Sequence, residues 1–309
     1  MKVESGLGCL VVSLLLLSHS YPAAGALNER LHLRHQSHDD DTRVVSAYVS
    51  SETGSSSYQC KIVSGKHDDA DAQGAWNDQI DATGWGFLTV KTRSQQTFFK
   101  VKDAQSAERE AYAAGCVEGY LTPTRIEQYW GNYALNEYGK EGPSVKLIEF
   151  VQSQKDFIET KIEEDNSSEP LEKRFWDSMK LIMSQFHGLC DGYYQGTQSP
   201  TPMTILELYL LNSVGDLEDL NNVFPRDPRK KEQFMSERHA PEWTEMTDCS
   251  GLIHVLPDNS DVAVGHTTWR DYYAMLRIYK KYEFGFMHNK IISMSSSPGK
   301  SSKENRFGS

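Results

Sequence analysis

The residues most able to do chemistry lie in two apolar runs that a short turn separates. Cys249 opens the first run, residues 249–256, and His266 lies in the second, residues 261–269. Between them, residues 257–260 read Pro-Asp-Asn-Ser, which is typical of a four-residue hairpin turn. The sequence therefore predicts a β-hairpin with a thiol on one strand and an imidazole on the other.

The length of that turn decides which side chains share a face of the hairpin. A four-residue turn pairs Leu256 with Asp261, and in that register Gly251 lies opposite His266. One face then carries, with the thiol and the imidazole at the same end, Cys249, Ile253, Val255, Val262, Val264 and His266. A turn one residue longer would move His266 to the opposite face.

The N-terminus is typical of a cleavable signal peptide. Lys2 precedes an apolar run at residues 6–17, and small residues close the segment at 23–26. An apolar core of about 7–15 residues followed by an Ala-x-Ala exit directs export, whereas a membrane-spanning helix needs about 20 apolar residues. We therefore predict a signal peptide at residues 1–26, a secreted or lysosomal protein and no integral membrane segment.

Four cysteines remain once the signal peptide is removed: Cys60, Cys116, Cys190 and Cys249. In an oxidising compartment they allow three pairings, and the sequence does not choose among them. None has the spacing of a zinc site, so neither a metal nor another cofactor is expected.

Charge and glycosylation signals describe the surface. The formal net charge of −11 argues against nucleic acid as a partner, because phosphate binding needs clustered Lys and Arg. The one N-x-S/T sequon begins at Asn166, in a polar stretch that is typical of an exposed loop. Glycosylation of Asn166 is therefore predicted. The oligomeric state has no signature in the sequence.

Cys249 needs a base to become a thiolate nucleophile. His266 is one source. Cleavage of the Asp248–Cys249 bond would create a second, an α-amino group with a pKa of about 7.7–8.0 that can take the proton of its own residue's side chain. The competing interpretation is structural, because a cysteine in an exported chain is more often half of a disulfide.

The remaining chain divides into segments by composition. Residues 27–79 are predicted to be a partly disordered leader, and residues 80–247 to be mainly helical. A hairpin and a following helix are predicted at 248–292, and a disordered tail at 293–309. Clear strand patterns occur only near residues 85–92 and 249–269.

Two glycine pairs interrupt predicted helices. Gly115 and Gly119 lie in one, and Gly188 and Gly192 lie in another. Neither pair falls in an apolar stretch of about 20 residues, so a membrane dimerisation motif is excluded. The pairs predict close packing between helices.

The chain resembles the phospholipase B-like family at the hairpin. The matching blocks are Thr247-Asp-Cys-Ser-Gly-Leu-Ile-His-Val-Leu-Pro257 and the run from Val264-Gly-His-Thr-Thr-Trp269 to Lys280. Supporting blocks occur in order at residues 84–88, 113–122, 188–193 and 215–220. The Cys-Ser block and the His-Thr-Thr-Trp block are specific together, although each alone is weak.

The resemblance implies an α+β fold, a four-layer αββα sandwich of the N-terminal-nucleophile hydrolase type. It implies that the precursor cleaves itself between Asp248 and Cys249, and that Cys249 then attacks an acyl ester of a phospholipid, or an amide. His266 and Trp269 match positions that line the pocket.

The sequence departs from the family pattern after residue 299. Family members continue there into further strands and pocket residues, so a C-terminally shortened, incomplete sandwich with weak or no activity is expected. Two alternatives stay open. One is an inactive secreted or lysosomal protein, and the other is a disulfide-stapled binding protein in which Cys249 pairs with Cys60, Cys116 or Cys190.

Overall fold

The described part of the chain forms two layers, a layer of helices and a β-sheet. The structure is a computed structural model. It describes residues 42–51, 57–93, 104–164, 168–227, 229, 249–268, 271–286 and 291–300. All of these belong to one structural unit, Thr42–Ser309. The predicted signal peptide lies outside the described residues.

Eight strands and seven α-helices make up the described part. The strands are β1 (Arg43–Ser51), β2 (Tyr58–Ser64), β3 (Ala72–Gln79), β4 (Trp85–Thr92), β5 (Cys249–Val255), β6 (Val262–Thr268), β7 (Arg277–Glu283) and β8 (Ile291–Ser296). The helices are α1 (Ile80–Thr83), α2 (Ala104–Leu121), α3 (Pro123–Tyr138), α4 (Val145–Glu163), α5 (Pro170–Gly196), α6 (Ile205–Asn212) and α7 (Val214–Val223).

Six of the strands form one mixed sheet in the order β2-β1-β3-β4-β7-β8. Neighbours pair antiparallel, except that β4 and β7 are parallel. Alternate residues of β7 are buried, namely Ile278, Lys280 and Tyr282, because this face of the sheet lies under the helices. The mixture of helices and a mixed sheet agrees with the α+β class.

Helix α2 lies on this sheet against β1, β3 and β4, and α5 packs on α2. The predicted close approach of the glycines is confirmed. A Cβ at Gly119 would lie 2.1 Å from the carbonyl oxygen of Leu189, and one at Gly192 would lie 2.0 Å from that of Cys116. Only glycine permits this backbone separation.

Side-chain caps fix where two of the helices begin. Ser144 Oγ accepts from the Leu147 amide at 3.2 Å, as its position before α4 predicts. At α6, Thr204 and Glu207 form a capping box. Helix α5 is continuous through Gly188 and Gly192, although the sequence suggested a break there.

The structure differs from the predicted leader at residues 27–79, because β1, β2 and β3 lie within it. Strand β3 reads Ala-Gln-Gly-Ala-Trp-Asn-Asp-Gln, with no β-branched residue, so its propensity signal is weak. Its burial comes from tertiary packing, since Gly74 lies beneath Val117 and Leu121 of α2.

The structure also differs from the predicted C-terminal segments. After the hairpin comes a short 3-10 turn at Tyr272–Ala274 and then β7, where a helix was expected. The predicted tail at 293–309 begins inside β8, while residues 301–309 lie outside the described residues. The alternation of apolar and polar residues that indicates a strand is not evident in β7, because Arg277, Lys280 and Lys281 are charged. In β8 the serines obscure the same alternation.

Candidate active site

The β5–β6 hairpin has the register that a four-residue turn predicts. Ile253 pairs with Val264, Val255 with Val262, and Gly251 with His266. Cys249 pairs with Thr268. The predicted register is therefore confirmed, and with it the side of the ribbon on which Cys249 and His266 lie.

The turn is held by its own polar groups. The Leu256 amide donates to the carbonyl oxygen of Asp261 at 3.0 Å, closing the predicted loop. Asn259 adopts a φ of 55°, a left-handed conformation that asparagine tolerates. Asp258 accepts from the amide and hydroxyl of Ser260 at 3.1 and 2.7 Å, and these bonds hold the pKa of its carboxyl below the ordinary value. Because these bonds fix the turn, they prevent the two strands from shifting their register by one residue.

Cys249 and His266 occupy diagonal positions on that side of the ribbon. Diagonal neighbours in an antiparallel pair lie about 7–8 Å apart, within reach of long side chains. Asp248, Trp269 and the sequon residue Asn166 lie outside the described residues.

The hairpin exposes apolar side chains on both of its faces. The exposed residues, between 37% and 73% accessible, are Leu252, Ile253, Val255, Leu256, Val262 and Val264. A sheet that is apolar on both faces is typical of a central layer covered on two sides. No other described residue therefore covers these apolar side chains of the hairpin.

Disulfide pairing removes the partners considered for Cys249. Cys60 and Cys116 are joined, with Cα atoms 6.7 Å apart, which ties β2 to α2. Cys190 is a buried free thiol, and burial raises its pKa well above the ordinary value. In this structure Cys249 has no disulfide partner among these three cysteines.

The six-stranded sheet carries aromatic side chains on the face away from α2. Trp85, Phe87, Arg277 and Tyr279 are half-buried there. The Arg277 guanidinium lies 4.8 Å from the Trp85 ring centroid, and the Phe87 and Tyr279 rings are 6.4 Å apart. An aromatic sheet face with this exposure is suited to packing against a further layer.

A buried polar cluster between α2 and β7 was not predicted from the sequence. Lys280 Nζ lies 2.6 Å from Glu118 Oε1, with both side chains at most 1% exposed. Tyr282 donates its hydroxyl to Glu118 Oε2, and Lys280 also donates to the Lys300 carbonyl at 2.6 Å. Burial first, and then the negative charge of Glu118, raise the pKa of Tyr282. The cluster joins sheet to helix and lies on a different element from the hairpin.

Other site types have little support in the described part of the chain. It holds no group of three or more His, Cys, Asp or Glu side chains placed to bind a metal. No helix described is long and apolar enough to cross a membrane. A cavity of about 270 Å³ is lined by Lys66, Lys91 and Arg93 among others, but by no hairpin residue.

Comparison with known proteins identifies the family to which the chain belongs. A model of the phospholipase B family matches residues 72–306. Phospholipase B-like protein G of Dictyostelium discoideum is 39% identical over 258 residues, which cover 78% of this chain and 41% of that protein. Putative phospholipase B-like 2 of Bos taurus is 31% identical, with 84% of this chain and 40% of that protein covered.

A third relative has a similar identity and a similar coverage. Phospholipase B of Crotalus adamanteus is 32% identical, with 79% of this chain and 43% of that protein covered. The chain thus spans about two fifths of the length of the curated relatives it matches. With a family model that covers most of its length and these relatives, the chain belongs to the phospholipase B family.

Proposed function

We propose that this chain carries the nucleophile of a lipid hydrolase that cleaves acyl ester, or amide, bonds through an N-terminal cysteine. The observation that carries the proposal is the hairpin register, which puts Cys249 and His266 on one side of the ribbon. The names of the relatives, phospholipase B and phospholipase B-like, support a phospholipid as the substrate. No cofactor is required by this chemistry.

Maturation would begin with the bond before Cys249. The thiol attacks the Asp248 carbonyl, the peptide C–N bond breaks, and the proton lost by sulfur goes to the new α-amino group. Water then hydrolyses the resulting thioester, leaving a carboxyl group on Asp248 and a free thiol on Cys249. The new α-amine, with a pKa of about 7.7–8.0, is a base next to the sulfur.

Hydrolysis would use the same sulfur. The thiolate attacks the acyl carbon of the lipid, the alcohol leaves with a proton, and water releases the fatty acid from the thioester. His266 lies on the same side of the ribbon and could orient or protonate the leaving oxygen. Trp269, one residue beyond β6, is proposed to line the acyl pocket.

We propose that the fold is one half of an αββα sandwich. The helices over the six-stranded sheet would be one αβ pair, and the hairpin would belong to the second sheet. The half-buried face with Trp85, Phe87 and Tyr279 supports this, as does the apolar exposure of both hairpin faces. Oxyanion donors supply much of the rate in acyl transfer, and with the hairpin uncovered we expect weak or no hydrolysis of lipid by this chain alone. Self-cleavage is expected all the same, because the attack on the Asp248 carbonyl is intramolecular and needs no bound substrate.

A secreted or lysosomal location is part of the proposal. The Cys60–Cys116 disulfide supports folding in an oxidising compartment. The signal peptide at residues 1–26 and glycosylation of Asn166 would follow from that route.

Intact-mass analysis of Cys249→Ser tests the nucleophile. Purified wild-type protein should give two fragments that part between residues 248 and 249, because the thiol performs the cleavage. Cys249→Ser should remain almost entirely one chain, since a hydroxyl is a far weaker nucleophile than a thiolate. Ser250→Ala, a change at the exposed neighbouring residue, should be processed like wild type.

Cleavage of Cys249→Ser at the wild-type rate would show that Cys249 is not the nucleophile. An uncleaved wild-type chain with a free thiol at Cys249 would instead support an inactive binding protein. The exposed hairpin is the observation that favours this second function.

A further inference from the structure

Arg277 is a half-buried arginine on the face of the six-stranded sheet away from α2. Its guanidinium lies 4.8 Å from the Trp85 ring centroid. Within the part of the chain that the structure describes, no carboxylate pairs with Arg277, and its Nε is buried without a hydrogen-bond acceptor. Because an unpaired half-buried charge costs free energy, an anion supplied from outside these residues would stabilise the arrangement.

The surroundings of Arg277 hold its guanidinium in place without neutralising it. A Cβ at Gly84 would lie 2.7 Å from Arg277 Nη2, so the guanidinium rests against the backbone of that turn. The acidic residues that closely precede the turn, Asp78 and Asp81, both bind Arg125, at 2.8 and 2.9 Å. Arg277 therefore keeps an uncompensated charge in a fixed position, and a planar guanidinium so placed is suited to binding a carboxylate or a phosphate.

The outward face of strands β3, β4, β7 and β8 is positive, although the chain carries a formal net charge of −11. Alternation along the paired strands places Lys91, Arg277 and Lys281 outward, together with a single carboxylate, that of Glu283. Lys91 pairs with this carboxylate at 3.0 Å, so two positive charges remain on these four strands. The charge of the face favours an anionic ligand.

Three aromatic rings adjoin the guanidinium. Trp85 pairs with Arg277, and Phe87 pairs with Tyr279 two residues further along both strands. The Phe87 and Tyr279 ring centroids are 6.4 Å apart. These four side chains form what we call the Arg277 patch, in which one cation lies beside three rings. A ligand with a charged head and an apolar body matches both parts.

We propose that the Arg277 patch binds an amphiphilic oxyanion, with a carboxylate or phosphate on Arg277 and a hydrocarbon part on the rings. The proposal does not rest on the proposed function, because the charge and the rings of the patch select the ligand by themselves. Arg277 and Trp85 are the first residues of β7 and β4, so they lie at the margin of the sheet. A further layer packed over the middle of the sheet is therefore compatible with the ligand.

Calorimetric titration of the full chain with decanoate and with decyl phosphate, each below its micelle concentration, tests the site. Arg277→Gln should weaken binding about tenfold or more, because charge-assisted hydrogen bonds are lost. Arg277→Lys keeps the charge without the planar fork and should weaken binding by a smaller factor. Lys281→Gln is the matched control, since it removes the same charge from the same face of β7, about 13 Å away. At physiological ionic strength it should change the affinity less than about twofold.

The indole N–H resonance of Trp85 shows where the probes bind. Trp85→Phe assigns this signal among the six tryptophans of the chain. Decanoate should shift it in the wild type, and should fail to shift it in Arg277→Gln at the same concentration. Acetate and inorganic phosphate, which lack the hydrocarbon part, should bind at least about tenfold more weakly. Binding of either probe at Trp85 supports the site, and the tighter probe identifies its head group.

Three results would overturn the proposal. In the first, neither probe shifts the Trp85 signal, as expected if Arg277 pairs with a carboxylate of a further polypeptide layer, or if the probes bind only the exposed hairpin. In the second, Arg277→Gln binds both probes as tightly as the wild type. In the third, Lys281→Gln weakens binding as much as Arg277→Gln, which makes the overall charge of the face responsible. Circular dichroism is used to check that each variant is folded.

Discussion

Replacing Lys280 by methionine should lower the free energy of unfolding by about 3–5 kcal/mol, the usual cost of breaking a buried ion pair. The Lys280 ammonium lies 2.6 Å from Glu118, and both side chains are at most 1% exposed. Methionine fills a similar volume, so the change leaves an unpaired carboxylate among Tyr282 and apolar neighbours with little void. Urea unfolding followed by circular dichroism measures the effect.

A double variant separates charge from packing. Glu118→Gln with Lys280→Met removes both charges and keeps an amide oxygen for the Tyr282 hydroxyl, so most of the lost stability should return. The Lys91–Glu283 pair is the matched control, because it also holds β7, in this case to β4, but is 52% and 31% exposed. Lys91→Met should cost less than about 1 kcal/mol. Simple additivity of the Glu118 and Lys280 losses would contradict the pairing.

The same cluster shows where sequence reasoning fails. Lys280 lies on an inward position of β7, where the period of two predicts an apolar residue. A lysine at that position is normally interpreted as exposed to solvent. The sequence therefore predicts neither strand β7 nor the ion pair with Glu118. Only the position of Glu118 on α2, between Gly115 and Gly119, makes the lysine acceptable. That pairing joins residues 162 positions apart, and no local pattern reports it.

Local features, in contrast, follow from local signals. Ser144 caps α4 because its hydroxyl needs only the amide three residues on. The turn at residues 257–260 sets the register of the hairpin because every pairing follows from the number of residues in the loop. The relation between Cys249 and His266 is thus readable from the sequence, whereas what packs on either face of the ribbon is not.

The three strands before α2 differ in what the sequence shows, because β1 contains Val45, Tyr48 and Val49, which favour a strand, whereas β3 has no β-branched residue. Their burial depends on α2, which lies across β1 and β3 and is tied to β2 through the Cys60–Cys116 disulfide. A Gly-containing strand such as β3 has low propensity by itself. Strand β3 forms because Gly74, which has no side chain, leaves room for the Val117 side chain of α2.

Replacing Gly192 by alanine should destabilise the protein by about 3 kcal/mol or more, an effect at the upper end of overpacking changes. A Cβ at this position would lie 2.0 Å from the carbonyl oxygen of Cys116 and 2.7 Å from its carbonyl carbon. Both atoms are backbone, so no side chain can rotate away and the two helices must separate. Thermal unfolding should show a correspondingly lower midpoint.

Gly131→Ala is the control, since it makes the same substitution in the middle of α3 where nothing lies within 4 Å. It should stabilise by about 0.5–1 kcal/mol through helix propensity alone. If Gly192→Ala behaved like Gly131→Ala, the α2–α5 contact would be looser than its geometry indicates. That contact fixes α2, which holds Cys116 for the disulfide and Glu118 for Lys280. Widening it would therefore weaken the disulfide-linked edge and the buried ion pair at once, and the loss of stability should exceed that of an isolated steric clash.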